Sequence, residues 1–546
     1  MPKRSSKKAT TEPEDPSYYP RCERSAFIIA MHLSDYIKRH GGKYLRDEDG
    51  SLHVILNGTR IALKNDPENY ALNGLLLNAC EITTVTQVAK ATIQRIQVRA
   101  NQEASSIRLR KFSAFSEVRN RLYVPVHGGK LLVVTAEGIS TAENGENPDS
   151  VWVEHPEHAP FTYAANPATG LQHFERLVVE TQACLHPEMR WFVAMQEGLF
   201  PYVRELCSGR FITVHIGPSQ QGKTTGAQRV TILHGLGCVK GDYSVPALAG
   251  LGDNGLLVLD NKEQSNFSPP LIDFCLYLST GAERGRARKD GTLRRGASRP
   301  VGVITTIEGV YKAELQNRCV EIQYRLPGPE IGRDGIEREI HGRRNEICSA
   351  IMAVLQRYQQ IRSGPRPSTP NPIPNFSENF GALCDLLRAY AHVAGKPVGW
   401  SEDIISAWDR ILRQREAEED ELEHPILRVF RECYVSEWGW NDVPIIFQEQ
   451  RGRLLYGSCS PLLAALQRLN LRECKLPRTA EALGRRLRSG RFRAFRILDE
   501  ESAPELAMLK RTAQKRGAVG IFFPDDSVTV APAASAPAVI AQTPVN

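Results

Sequence analysis

The chain has 546 residues, 41% of them apolar and 24% charged, with a formal net charge of +7. That length exceeds one compact core and predicts roughly two to four domains in an ordinary soluble protein. The twelve cysteines stand singly, with no C-x-x-C pair and no Cys/His cluster, which excludes a zinc site or a disulfide framework. No apolar run approaches the roughly 18 to 20 residues that span a bilayer, so the expectation is a cytoplasmic protein with no membrane partner.

Residues 1–20 are polar and rich in proline, and they read as a disordered tail without the apolar segment of a secretory signal. A mixed α+β region is expected over 21–209. "SLHVILNGTRIAL" alternates as a hairpin, "TTVTQVAKATIQRIQVRAN" is an amphipathic helix, and "LYVPVHGGKLLVVTAEGI" reads as two strands around Gly-Gly. "RDEDGSL" places Asp47 and Asp49 two apart. A hairpin turn at Asp-Gly accounts for it more simply than a primase-like metal pair.

Strand and helix patterns alternate over 210–326, and the chemistry concentrates there. Phe211, Ile212, Val214 and Ile216 predict a buried strand, followed by G-x-x-x-x-G-K-T from Gly217 to Thr224 and a helix-compatible stretch. Strand, glycine-rich loop and helix in that order form a phosphate cradle. The backbone of Gly217, Pro218, Ser219, Gln220, Gln221 and Gly222 would curl round the phosphates and offer every N–H but the one proline lacks, with Thr225 in the first helical turn. Lys223 would reach the β- and γ-phosphates of ATP, and Thr224 would hold magnesium. The second magnesium ligand is expected at Asp260, which ends the apolar run of "GLLVLDNKE" 37 residues after Lys223. Asn261 follows where many ATPases carry a glutamate that activates water, and Glu263 is the substitute candidate. A third strand, "PVGVITT", ends in Thr305 and Thr306. Thr306 is taken as the strand-tip group that positions water. Arg318 lies twelve residues beyond it, just before another strand, where it could act as a finger on a neighbouring subunit's nucleotide.

These motifs, "GPSQQGKTT", "LLVLDN", "LSTGAERGR", "RPVGVITTIEGV" and "NRCVEIQY", occur in the order found in superfamily 3-type helicases and their AAA+ relatives, encoded by phages, plasmids and mobile elements. The chain resembles that family over about residues 210–326. The resemblance implies an AAA+-like P-loop fold, a ring of identical subunits, a hexamer by expectation, and single-stranded DNA in its channel. Asn261 departs from the pattern and leaves the water-activating group open. Between the Asp260 and Thr306 strands the family carries a channel hairpin, and here "ERGRARKDGTLRRGASR" places seven basic residues beside two acidic ones. Asp-Gly marks its turn, and Arg286, Arg288, Lys289, Arg294 and Arg295 are the expected DNA contacts.

Residues 327–423 read as helical, with a linker of five prolines at 363–375. The last unit, 424–524, carries ten basic and two acidic residues between Arg468 and Arg496. Two short helices and a terminal strand suggest a winged helix-turn-helix, with Leu476, Ala480 and Leu483 inward and Arg485, Arg486 and Arg488 toward duplex DNA. The Ala/Pro/Val tail, 525–546, reads as disordered. The function expected is an ATP- and magnesium-dependent DNA helicase or translocase serving replication of a phage, plasmid or mobile element. Two rivals stay open: a P-loop ATPase that remodels protein or acts in host defence with DNA as trigger, and a non-enzymatic DNA-binding protein controlled by nucleotide.

Overall fold

The computed structural model describes residues 21–66, 68–82, 86–154, 158–165, 169–236, 254–262, 267–281, 283–287, 293–297, 300–307, 310, 313–325, 333–365, 367–435, 445–449, 452–468, 476–477, 479–489, 495–498 and 518–524. The N-terminal part opens with helix α1 (Arg21–Arg39), strands β1 (Lys43–Arg46), β2 (Leu52–Leu56) and β3 (Thr59–Ala62), helices α2 (Tyr70–Cys80) and α3 (Gln87–Glu103), and strand β4 (Ser105–Ser106). The sheet runs β3-β2-β1-β4. Asn57 and Gly58 both take positive φ, 51° and 73°, so the Asn-Gly turn joins β2 to β3 with the twist a two-residue hairpin needs. The Thr86 hydroxyl accepts from Ala89 N at 3.1 Å and caps α3. Leu33, Ile37, Val54, Leu72, Leu76, Ile93 and Ile96 form this unit's own core. Asp47 is a turn residue: Oδ1 accepts from Asp49 N and Ser51 N, and Oδ2 lies 3.0 Å from His53 Nε2. Its carboxylate is spent on the β1–β2 connection.

Strands β5 (Arg108–Arg110), β6 (Ala114–Ser116), β7 (Arg121–Val126), β8 (Lys130–Val134), β9 (Ile139–Glu143) and β10 (Val151–Val153) come next. The antiparallel meander β6-β7-β8-β9 turns from β7 to β8 through Gly128 and Gly129, both at positive φ, and β10 pairs with β5. A helical layer follows, with α4 (Gly170–Phe174), α5 (Pro187–Val193) and α6 (Phe200–Val203) extended by π-helical turns at Glu175–Val179 and Ala194–Leu199.

The central sheet holds β11 (Ile212–Ile216), β12 (Leu256–Leu259), β15 (Val301–Thr306) and β16 (Cys319–Gln323), in the order β12-β15-β11-β16 and wholly parallel. Helix α7 (Lys223–Leu233) follows β11. The hairpin β13 (Glu283–Ala287) and β14 (Leu293–Ala297) lies between β12 and β15 in the chain. On one face Ile212, Val214, Leu257, Leu259 and Ile304 pack against Leu271, Phe274 and Leu278 of helix Pro269–Thr280. On the other face lies the largest core, which runs from Phe112 through Phe174, Phe192, Val303 and Ile351 to Trp408. That core takes residues from both sides of 209/210. Phe112 makes this concrete: a side chain on Gly255, at the start of β12, would meet its ring at 2.3 Å.

Helices Arg333–Ser363 and Ser377–Val393 complete that core. The proline-rich stretch between them is an extended connection, held where Arg388 donates to Ser368 O and Thr369 Oγ1, both at 3.4 Å. The sequence ends its last central helix at Glu423. The structure instead carries one helix from Trp400 to Val435, straight through Pro425. An interior proline costs roughly 3 kcal/mol. Here Ile426, Val429 and Phe430 continue the helical spacing and bury against the C-terminal core, which offsets that loss. That last core also takes Leu462 and Leu466 of helix Cys459–Arg468 and Leu483 and Leu487 of helix Ala480–Ser489, beside the antiparallel sheet β17 (Ile445–Glu449), β18 (Gly452–Ser458), β20 (Ala518–Pro524), β19 (Arg496–Leu498). Both terminal tails lie outside the described residues. Among the described residues no helix is long and apolar enough to cross a membrane.

Candidate nucleotide-binding site

Because the four central strands are parallel, their carboxyl ends share one edge, the place where open α/β sheets bind ligands. Gly217 leaves β11 there, Asp260 leaves β12, Thr305 and Thr306 end β15, and Gln323 ends β16. Backbone geometry explains the loop's composition. A Cβ on Gly217 would lie 2.6 Å from the carbonyl oxygen of Tyr324, so no larger residue fits. Gly222 stands at φ 80° as the residue before α7, a conformation glycine adopts without strain. The first turn of α7 therefore opens toward the loop, with its amides and dipole available to an anion.

Lys223 begins α7 and is 8% exposed. Its ammonium group donates to the carbonyls of Gly217 and, at 2.8 Å, Pro218. The positive charge is thus folded over the loop. Thr224 Oγ1 donates to Asp260 Oδ1 at 2.7 Å, and Thr305 Oγ1 donates to the same oxygen at 2.6 Å. Thr305 Oγ1 in turn accepts from Asn261 N at 2.9 Å, which fixes the bend after β12 where Asn261 stands at φ 52°. Thr306, the strand-tip residue favoured by the sequence, is buried and pairs with Ile216 through its backbone. The hydroxyl that reaches Asp260 belongs to its neighbour. Thr224 and Asp260 offer hard oxygens of the kind magnesium prefers, beside the open first turn of α7, and this donor pair fits that ion. Glu263 lies outside the described residues, and Asn261 is exposed.

Arg318 sits at the opposite end of the sheet. Its carbonyl accepts from Ile212 N at 2.8 Å, at the start of β11, while its Nε is buried without a hydrogen bond. The five residues of β16 separate it from the phosphate edge, about 17 Å at the usual rise of a strand. In the hairpin, Arg286 pairs directly with Arg294 and Gly285 with Arg295. Arg288 and Lys289 lie outside the described residues. For Arg286, Arg294, Arg295 and Arg488 the structure describes the backbone position. Arg485 is exposed and Arg486 half-buried on helix Ala480–Ser489.

No family model matches the chain, and no curated protein matches it. Among solved structures, one titled "SCCmec type IV Cch - active helicase" is 12% identical, with a TM-score of 0.42, over 79% of this chain and 86% of its own. The C-terminal region of NrS-1 is 10% identical, with a TM-score of 0.35, over 75% of this chain and 83% of its own. A full-length MCM homolog from Methanopyrus kandleri is 12% identical, with a TM-score of 0.29, over 55% and 74%.

The sequence missed a buried polar group below the loop. Thr213 and His215 interrupt an otherwise apolar β11, and that interruption was the available signal. Both contact Glu197, which nothing in its own neighbourhood of the sequence singles out.

Proposed function

We propose that this chain is an ATP-dependent DNA translocase or helicase with an AAA+-like core, working as a hexameric ring in the cytoplasm in the replication of a phage, plasmid or mobile element. The observation that carries the reading is the Thr224–Asp260 pair at 2.7 Å beside the buried Lys223. Lys223 would leave the loop carbonyls for the β- and γ-phosphates of ATP, and Thr224 and Asp260 would hold magnesium. The ion, when bound, neutralises phosphate charge. Thr305 keeps the Asp260 carboxylate aimed at the loop. Arg318, remote from its own chain's phosphate edge, is suited to a neighbour's nucleotide. The arginine-bearing hairpin is suited to single-stranded DNA, and the C-terminal helices and sheet, read as a winged helix, to duplex DNA.

The test measures phosphate release with and without single-stranded DNA, and strand displacement from a forked duplex, in the native chain and in Lys223→Ala. DNA-stimulated hydrolysis and displacement, both abolished by the substitution, are expected. Hydrolysis without displacement favours a remodelling ATPase. Asn261, exposed where a catalytic acid would stand, favours a second reading in which nucleotide only governs DNA binding, and ATP-dependent retention of DNA without turnover would decide for it.

A further inference from the structure

Glu197 is fully buried on the π-helical turn Ala194–Leu199. Its Oε1 accepts from Thr213 Oγ1 at 2.9 Å and lies 2.7 Å from His215 Nε2, the two polar residues on the strand that enters the phosphate loop. Its backbone carbonyl lies 2.7 Å from Nε2 of His234, the residue that ends α7. A carbonyl only accepts, so His234 donates from Nε2. Burial pushes that ring's pKa down to about 4 and keeps it neutral. One residue therefore grips both the strand going into the loop and the helix coming out of it.

The same network returns to the loop itself. The rings of His215 and Tyr324 lie 4.6 Å apart. Burial pushes the Tyr324 phenol well above its ordinary range, so it remains a donor, and it donates to Gln182 Oε1 at 2.9 Å. Gln182 Nε2 donates to Gly226 O, in the first turns of α7, at 3.4 Å. The carbonyl of Tyr324 is the atom that keeps residue 217 a glycine.

We propose that Glu197 is a positioning residue for the nucleotide: by fixing β11 against α7 it holds the phosphate loop in its binding shape. The proposal rests on the nucleotide-site reading above. Loop amides must converge on the phosphates before binding, and affinity gained by preorganisation is lost when the supporting shell loosens. The carbonyl that holds His234 stays in every variant; the side chain's part, the tie to β11, belongs to the acceptor Oε1, since Oε2 is buried without a hydrogen bond, and glutamine retains that acceptor.

The experiment measures KM for ATP, kcat and binding of a fluorescent ATP analogue in the full chain carrying E197A, E197Q, T213V or Y390F. Y390F is the control, because it removes a hydrogen bond to Glu175 on the other π-helical turn, far from the loop in sequence. E197A should raise KM about tenfold with kcat within about threefold, T213V should raise it about threefold, and E197Q should stay within about twofold. Y390F should lower thermal stability and leave KM unchanged. An unchanged KM in E197A overturns the proposal, as does an equal rise in Y390F or a failure of E197Q to recover. Where E197A does not fold, T213V decides alone by the same criterion. Absence of analogue binding in the native chain instead defeats the nucleotide-site reading, a separate outcome.

Discussion

Thr305 donates to Asp260 Oδ1 at 2.6 Å from the adjacent strand, and the same oxygen is reached by Thr224 from the phosphate loop at 2.7 Å. Two hydroxyls from two elements thus converge on one carboxylate oxygen. Thr305→Val conserves shape but leaves Asp260 with one fewer donor and Asn261 N without its acceptor. We expect kcat to fall about ten- to a hundredfold with nucleotide affinity within threefold, and Thr305→Ser to recover most of it. If Thr306→Val has that effect and Thr305→Val does not, the sequence's choice of Thr306 is the right one.

Arg318 belongs to the end of the sheet away from its own phosphate loop, so its loss should be repairable by a neighbour. Arg318→Ala and Lys223→Ala proteins, each inactive alone, should regain partial ATPase activity when mixed, because some interfaces then pair an intact loop with an intact finger. Demonstrably mixed rings without recovery would sink the assignment.

The register of β13 and β14 sets Arg286 opposite Arg294 in the arginine-bearing hairpin. Replacing Arg288, Lys289 and Arg294 with alanine should leave basal ATPase activity near normal while DNA stimulation and strand separation fall. Three lost phosphate contacts should flatten the salt dependence of single-strand binding by about 2 in log–log slope. A slope that does not move identifies the hairpin as a solvated loop.

His234 links stability to pH. Burial, the largest influence, holds its folded pKa at about 4, against 6.5 ordinarily. The unfolded chain therefore binds the proton first, so the stabilising contribution is complete above about pH 6.5 and declines as pH falls toward 4. The decline is of order 3 kcal/mol. Urea unfolding of His234→Gln at pH 7.5 and 4.5 should show a smaller loss between the two than the native chain, by about 2 kcal/mol. Equal losses would remove His234 from the account.

The motifs that sequence made legible are those whose chemistry lies in consecutive residues. Glycine spacing and the strand before it marked the loop at Gly217, the apolar run marked Asp260, and alternation in "SLHVILNGTRIAL" marked its hairpin. Thr305 and Thr306 were recognised together as a strand tip. Which of them faces Asp260 depends on the parallel register of β12 against β15, where Leu259 lies opposite Ile304. Nothing local to either threonine records that register. Glu197 was invisible for the same reason, since its partners come from β11 and from the end of α7. The bound at Glu423 fell short for a related reason: the helix runs on to Val435 because Ile426, Val429 and Phe430 bury in the C-terminal core, which lies far along the chain.

The helix Trp400–Val435 enters the central core at Ile404, Ile405 and Trp408 and the C-terminal core at Ile426, Val429 and Phe430. A helix advances about 100° and 1.5 Å per residue. The stretch between the two anchors therefore works as a keyed shaft, and its length in residues sets the angular phase of whatever the C-terminal unit presents. One residue inserted there would leave each core intact and turn the second by more than a quarter circle relative to the first. Four residues would restore the phase to within about 40° while lengthening the shaft by about 6 Å. The number of residues between Trp408 and Ile426 thus fixes a rotation as well as a distance between the two cores.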